Sequence, residues 1–289
     1  MGKSVMNKIK LIANRETNYV YHMLSVAKCG YDNEYGRKYR EYYDKEDVAL
    51  LKQHESMITV RGGEHCGELY GLLVGEPAQA KVTAKEYYES LLTMIKENAV
   101  PEEAQKYIPV VEPIAKVMIK YYDSYVETIW PEEQAKLNAY LPQVQAVFEE
   151  NGFTEQAEAA TGLALQTEFF YATMVTSVQD GAEAINISEE QDVFGITRPV
   201  RDSVYFMAHE FIVFLLLPEF IKSIPTEDDM GMNTYNAFEG LAEFYMKQTI
   251  GETGFFCDME EYVRFYEEQV QKGPKTAVEL FRTAMEWKK

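Results

Sequence analysis

The chain has 289 residues, enough for one large domain or two smaller ones with a substantial hydrophobic core. Its hydrophobic share of 46% and charged share of 26% exclude large-scale disorder. A net charge of −19 argues against nucleic acid or an anionic membrane as the main partner, because both require a basic protein face.

The first half of the chain predicts mainly helices after a short strand at residues 8–13. Asp44 is placed to cap one helix, and Thr83 with Glu86 has the spacing of a capping box. The predicted helices are 16–29, 44–59, 67–74, 83–98, 101–125, 131–150 and 154–162. Breaks or kinks are expected at Pro109, Pro113 and Pro142.

The pattern changes to short strands near residue 168. Aromatic and β-branched residues predict strands at 168–178, 182–188 and 192–197, and Asp180-Gly181 predicts a hairpin between the first two. Helices are then expected at 199–222 and 233–249, with two more after residue 259.

These elements predict an α+β fold that is mostly α-helical. A mainly helical N-terminal region would cover residues 1–165, and a region holding the small sheet and the later helices would cover 166–289. A single continuous globular unit is also compatible with the pattern.

Three widely separated cysteines without a CxxC pair favour a reducing, cytoplasmic compartment over a disulfide framework. The basic N-terminus has no apolar core or cleavage site, so no signal peptide is expected. The longest apolar run, Phe211 to Leu217, is too short to span a bilayer, and no membrane partner is expected.

The stretch from Val204 to Leu217, VYFMAHEFIVFLLL, carries the main functional signal. All of its residues are apolar or aromatic except His209 and Glu210. A helix that is apolar on every side is a buried helix, and burying an imidazole and a carboxylate is costly unless each finds a partner. The two residues therefore belong to a polar network or take part in chemistry.

The order of elements in this part of the chain resembles the gluzincins, the thermolysin-like zinc metallopeptidases. A small sheet precedes His209-Glu210, and a later helix carries Glu239 in the phrase EGLAEFY. The resemblance implies that His209 and Glu239 bind zinc and that Glu210 is the general base acting on a metal-bound water. It also implies a peptide-like or protein ligand.

The motif departs from the family pattern at one position. The HExxH motif requires a second histidine where this chain has Val213, and valine cannot bind a metal. Glu243 lies one turn after Glu239 and could reach the same cavity. A distant histidine could also complete the site, and the remaining histidines are His22, His54 and His65.

Three interpretations follow. The chain is a gluzincin-like protein with an incomplete zinc site, inactive or impaired, that binds a peptide-like ligand or protein partner in its cleft, with zinc at low occupancy or absent. Alternatively, it is an active zinc metallopeptidase with a non-standard ligand, or an unrelated helical interaction protein in which His209 and Glu210 are a satisfied polar pair. The sequence leaves the oligomeric state open.

Overall fold

A computed structural model describes residues 7–30, 32–59, 67–178, 184–188, 191–224, 231–251 and 259–287, with the backbone alone described for 184–188. The chain forms two compact units that interleave along the sequence. The first unit comprises residues 1–10, 144–171 and 200–289, and the second comprises 11–143 and 172–199. The predicted regions 1–165 and 166–289 each contribute to both units.

The second unit contains most of the N-terminal helices. They are α1 (Arg15–Val26), α2 (Glu34–Tyr39), α3 (Lys45–Gln53), α4 (Glu55–Ile58), α5 (Glu76–Gln79), α6 (Ala84–Lys96), α7 (Ile108–Thr128) and the part of α8 (Trp130–Asn151) up to residue 143. A π-helical segment, Gly71–Gly75, leads into α5. Helix α1 is buried along nearly its whole length and forms the centre of this unit.

Two predicted helix caps have different outcomes. The capping box of α6 is confirmed, because the Thr83 hydroxyl accepts from the Glu86 amide and the Glu86 carboxylate accepts from the Thr83 amide. Asp44 occupies the N-cap position of α3, but its side chain makes no capping bond. Its carboxylate instead lies 2.6 Å from the Lys120 ammonium, so the expected cap of α3 is replaced by an ion pair.

The prolines interrupt the helices less than the sequence suggests. Pro113 and Pro142 lie inside α7 and α8 without ending them, so neither proline breaks its helix. One missing amide bond is outweighed by the packing of the long helix on either side. Pro77, which follows the predicted helix 67–74, lies in the first turn of α5, where no helical N–H bond is lost. The predicted helix 101–125 is a 3₁₀ segment at Glu102–Tyr107 followed by α7.

The four-stranded sheet consists of β1 (Ile9–Ile12), β2 (Phe170–Val175), β3 (Ala184–Ser188) and β4 (Gln191–Gly195), in the order β1-β2-β4-β3. The Phe170 amide donates to the Lys8 carbonyl beside the starts of β1 and β2, and the Ile196 amide donates to the Val175 carbonyl at the ends of β4 and β2. Both pairings are therefore parallel. Strands β3 and β4 pair antiparallel.

The predicted hairpin between the first two strands of the 168–197 segment is wrong, because β2 lies between β1 and β4. The hairpin in this segment is β3–β4. The pairing of β2 with β1 and β4 cannot be predicted from local sequence, because turn residues indicate pairing only between strands that follow each other in the chain. Asp180 and Gly181 lie outside the described residues.

The first unit is an assembly of α9 (Phe153–Thr161), α10 (Val200–Ser223), α11 (Met232–Ile250), α12 (Glu260–Gln271) and α13 (Ala277–Trp287). The Phe211 ring of α10 packs against Phe153 and Phe170, with centroids 5.8 and 6.1 Å apart. Helices α10 and α11 match the predicted spans 199–222 and 233–249 to within one residue at each end. The mostly helical α+β fold is confirmed.

Candidate functional site

Helix α10 places His209 inside the first unit. By length and composition this helix could cross a membrane, and within the described part of the chain it is the one helix of that kind. However, 67% of its most apolar window is buried within the protein. His209 is itself 3% exposed and lies between buried residues such as Ala208 and Phe211. The helix therefore brings an imidazole into an apolar interior, where it requires polar partners.

Helix α11 supplies two carboxylates from one face. Glu239 and Glu243 are one turn apart, and Glu243 is 1% exposed. Gly240 lies between them at a close helix contact, where an added Cβ would come within 2.3 Å of the Tyr262 Cβ of α12. The glycine in the EGLAEF phrase thus lets α12 pack directly on the helix that carries the carboxylates.

The two helices bring these side chains together around one imidazole. His209 Nε2 lies 3.0 Å from Glu239 Oε2, and His209 Nδ1 lies 3.2 Å from Glu243 Oε1. The proximity of His209 and Glu239 is the one expected from the sequence, although they are 30 residues apart. We refer to His209, Glu239 and Glu243 as the imidazole–carboxylate cluster.

The electrostatics of the cluster favour a charged histidine. Burial alone would lower the pKa of His209, but its bonds to Glu239 and Glu243 and the nearby charge of Glu210 raise that pKa to about 10. At neutral pH the His209 ring is therefore an imidazolium that faces the Glu239 and Glu243 side chains. The His209 ring and Glu243 are deeply buried, so removing either one would leave the other as a buried group without its charged partner.

The cluster does not fit a catalytic zinc ion, which takes three protein ligands. It offers one imidazole nitrogen and one accessible carboxylate, Glu239, while Glu243 faces the other ring nitrogen. Val213, one turn after His209, supplies no donor. Across the described ranges, no group of three or more His, Cys, Asp or Glu side chains is arranged to hold a metal.

The other histidines do not complete the cluster within what the structure describes. Both ring nitrogens of His22 bind tyrosine hydroxyls, those of Tyr35 and Tyr43. His54 lies at the junction of α3 and α4. His65 lies outside the described residues. Glu210 is partly exposed on α10, and its predicted role as a general base stays a prediction, because that role needs a metal-bound water.

Sequence reasoning missed a second buried polar cluster, in the second unit. Its centre is His22, which the sequence presented only as a distant candidate ligand. Glu133 is 1% exposed and accepts hydrogen bonds from the Tyr35 and Tyr125 hydroxyls. The tyrosine-rich stretch at residues 31–43 was the available signal, since tyrosine is the residue that places hydroxyl groups inside a core.

Comparisons with known proteins found no family model, no curated protein and no solved structure that matches the chain.

Proposed function

We propose that the chain is a gluzincin-like protein whose zinc site is incomplete, and that it binds a peptide-like ligand without efficient hydrolysis. The observation that carries the proposal is the convergence of His209 and Glu239, at 3.0 Å, from two helices in the order that the resemblance requires.

The position of Glu243 supports the same proposal. Histidines that bind metals almost always donate their second ring nitrogen to a carboxylate or carbonyl, which fixes the ring. Here Glu243 Oε1 faces His209 Nδ1 at 3.2 Å, while Nε2 points at Glu239. This arrangement is similar to that of a ligand histidine with its supporting group, and it supports the proposal of a site in which one metal ligand is missing.

The proposed loss of efficient catalysis follows from the small number of metal-binding side chains in the cluster. Val213 stands in place of a ligand, and the protonated His209 ring in contact with Glu239 has no free lone pair on Nε2 for a metal. Glu210 then has no metal-activated water to deprotonate. What remains for such a protein is the recognition of ligands, since fold and activity separate readily.

Restoring the missing ligand tests the proposal. In Val213→His, the new imidazole would lie one turn from His209 on α10, and we expect zinc binding with a Kd in the micromolar range or tighter. Leu217→His is the matched control, because this position is also partly exposed on α10 but lies one turn further along. Isothermal titration of both tag-free variants and the wild type with zinc gives the comparison.

Each outcome decides between the interpretations. Tight binding confined to Val213→His supports the incomplete site. Equal binding by Val213→His and Leu217→His would show that His209 and Glu239 are not a metal-ligand pair, which would leave an unrelated helical protein. Stoichiometric zinc in the wild type, lost in His209→Gln together with peptide hydrolysis, would instead establish an active metallopeptidase.

A further inference from the structure

A buried chain of hydrogen bonds in the second unit joins α1, α2 and α8. The His22 ring, fully buried, contacts the hydroxyls of Tyr43 and Tyr35 through its two nitrogens. The Tyr35 hydroxyl in turn donates to Glu133 Oε1. Four side chains are thus connected in a line from Tyr43 to the carboxylate of Glu133, and none of them takes part in the imidazole–carboxylate cluster.

The direction of every bond in this line follows from the number of available protons. Tyr35 has one hydroxyl proton and donates it to Glu133, so it can only accept from His22, and Nδ1 must carry the ring proton. Burial lowers the pKa of His22 to about 3, so the ring is neutral and Nε2 is bare. The Tyr43 hydroxyl must therefore donate to Nε2.

We propose that a proton relay runs through Tyr43, His22, Tyr35 and Glu133. It transfers a proton taken up at Tyr43 to the Glu133 carboxylate, and it moves the ring proton of His22 from Nδ1 to Nε2. In this step a proton binds the Tyr43 oxygen, and the original Tyr43 proton moves to His22 Nε2. The Nδ1 proton moves to the Tyr35 oxygen, and the Tyr35 proton moves to Glu133. One proton enters and one carboxylate is neutralised, while the ring and both hydroxyls keep their proton counts.

Two features of the geometry favour uptake at this site. Within the described residues, the Tyr43 hydroxyl has His22 as its hydrogen-bond partner and no second one, so its oxygen can accept a proton at this end of the line, where the residue keeps 8% of its surface exposed. Glu133 is deeply buried, and burial raises its pKa although bonds from Thr176, Tyr125 and Tyr35 oppose this. The neutral acid is therefore favoured relative to an exposed glutamate.

Among the described residues, the relay is surrounded by aromatic rings, the Thr176 hydroxyl and the Lys136 ammonium. The rings of Tyr39 and Tyr125 face His22, with centroids 5.4 and 4.9 Å away. Glu133 is faced by Tyr125 and Thr176, with the charge of Lys136 nearby on α8. Tyr121 packs on Tyr43, at 4.7 Å between ring centroids. Glu133 is the carboxylate at the end of the line.

Ring-nitrogen NMR of the full chain labelled with ¹⁵N-histidine tests the relay. His22 is one of four histidines and is assigned with His22→Gln. At pH 8 we expect the proton on Nδ1. On acidification, with the protein still folded, we expect complete exchange to Nε2–H, with the same midpoint as the infrared band of a protonated carboxyl that is absent in Glu133→Gln.

Two α2 variants give a matched comparison. Tyr35→Phe removes the link to Glu133, and the His22 tautomer should then no longer change with pH. Tyr39→Phe keeps a ring against His22, and its lost hydroxyl bonds Lys38 outside the relay, so the exchange should persist.

Several results would overturn the proposal. They are a proton on Nε2 at pH 8, a carboxyl band that grows while the tautomer stays fixed, and loss of the native fold before either signal changes. The wild-type measurement stands alone if Tyr35→Phe does not fold.

Discussion

Replacing Glu243 by glutamine removes one charge from the imidazole–carboxylate cluster and keeps the side-chain shape. Glu243 is 1% exposed and faces a His209 side chain that is 4% exposed. Removing one partner of a buried ion pair typically costs about 3–5 kcal/mol, since the remaining charge stays buried without compensation. Because Glu239 still pairs with His209, we expect the lower end, about 3 kcal/mol.

The magnitude can be read from urea unfolding at pH 7, followed by circular dichroism. With a slope near 3 kcal/mol/M, at the upper end of the usual range, the midpoint should fall by about 1 M. Glu239→Gln should cost less, about 1.5 kcal/mol, because its side chain is 14% exposed and water can replace part of the interaction. Glu219→Gln, which loses only a surface pair with Lys222, should change the free energy of unfolding by less than about 0.5 kcal/mol.

A double-mutant cycle separates the pair from a general loss of packing. If the cluster is coupled as described, Glu243→Gln combined with His209→Gln should cost less than the sum of the two single variants. The reasoning would be refuted if Glu243→Gln were no more damaging than Glu219→Gln, or if the two single effects were additive.

Three further predictions concern other sites. Burial lowers the pKa of His22 to about 3, so the unfolded chain binds one proton more between that value and about 6.5, and stability should fall by up to about 1.4 kcal/mol per pH unit through this range. Urea midpoints from pH 8 to 4 should show a shallower decline in His22→Gln. Gly240→Ala should lower the free energy of unfolding by about 1–3 kcal/mol because its Cβ overlaps Tyr262, whereas Gly71→Ala, with nothing within 4 Å, should not destabilise. Thr83→Ala should cost about 1 kcal/mol in thermal or urea unfolding through loss of the capping box, and an unchanged midpoint would contradict this role.

The helices that carry the candidate site could be predicted from sequence because their signals are local. The apolar run around His209 and the EGLAEF phrase define α10 and α11 closely, and their convergence followed from the resemblance. The second contact of the imidazole, between Nδ1 and Glu243 Oε1, could not be placed from the sequence, because it depends on how α10 and α11 pack. Zinc binding, ligand class and cytoplasmic location stay predictions.

The remaining structure depends on contacts between distant residues. Nothing near β2 indicates that it lies between β1 and β4, since these partners come from opposite sides of it in the chain. The hydrogen-bonded line through His22 could not be predicted from the sequence for the same reason, because Tyr35 and Glu133 are 98 residues apart. That α7 and α8 continue through Pro113 and Pro142 is not visible in local propensity, because packing against other parts of the chain sustains these helices.

The interleaving of the two units has a consequence for how the protein is made. Because the first unit draws on both residues 1–10 and 200–289, its earliest strand segment leaves the ribosome long before its partners exist. Such long sequence separations slow folding and prolong the exposure of apolar surface. Any single cleavage between residues 10 and 200 separates the N-terminal segment of the first unit from its C-terminal helices, so this unit should not form from either piece alone.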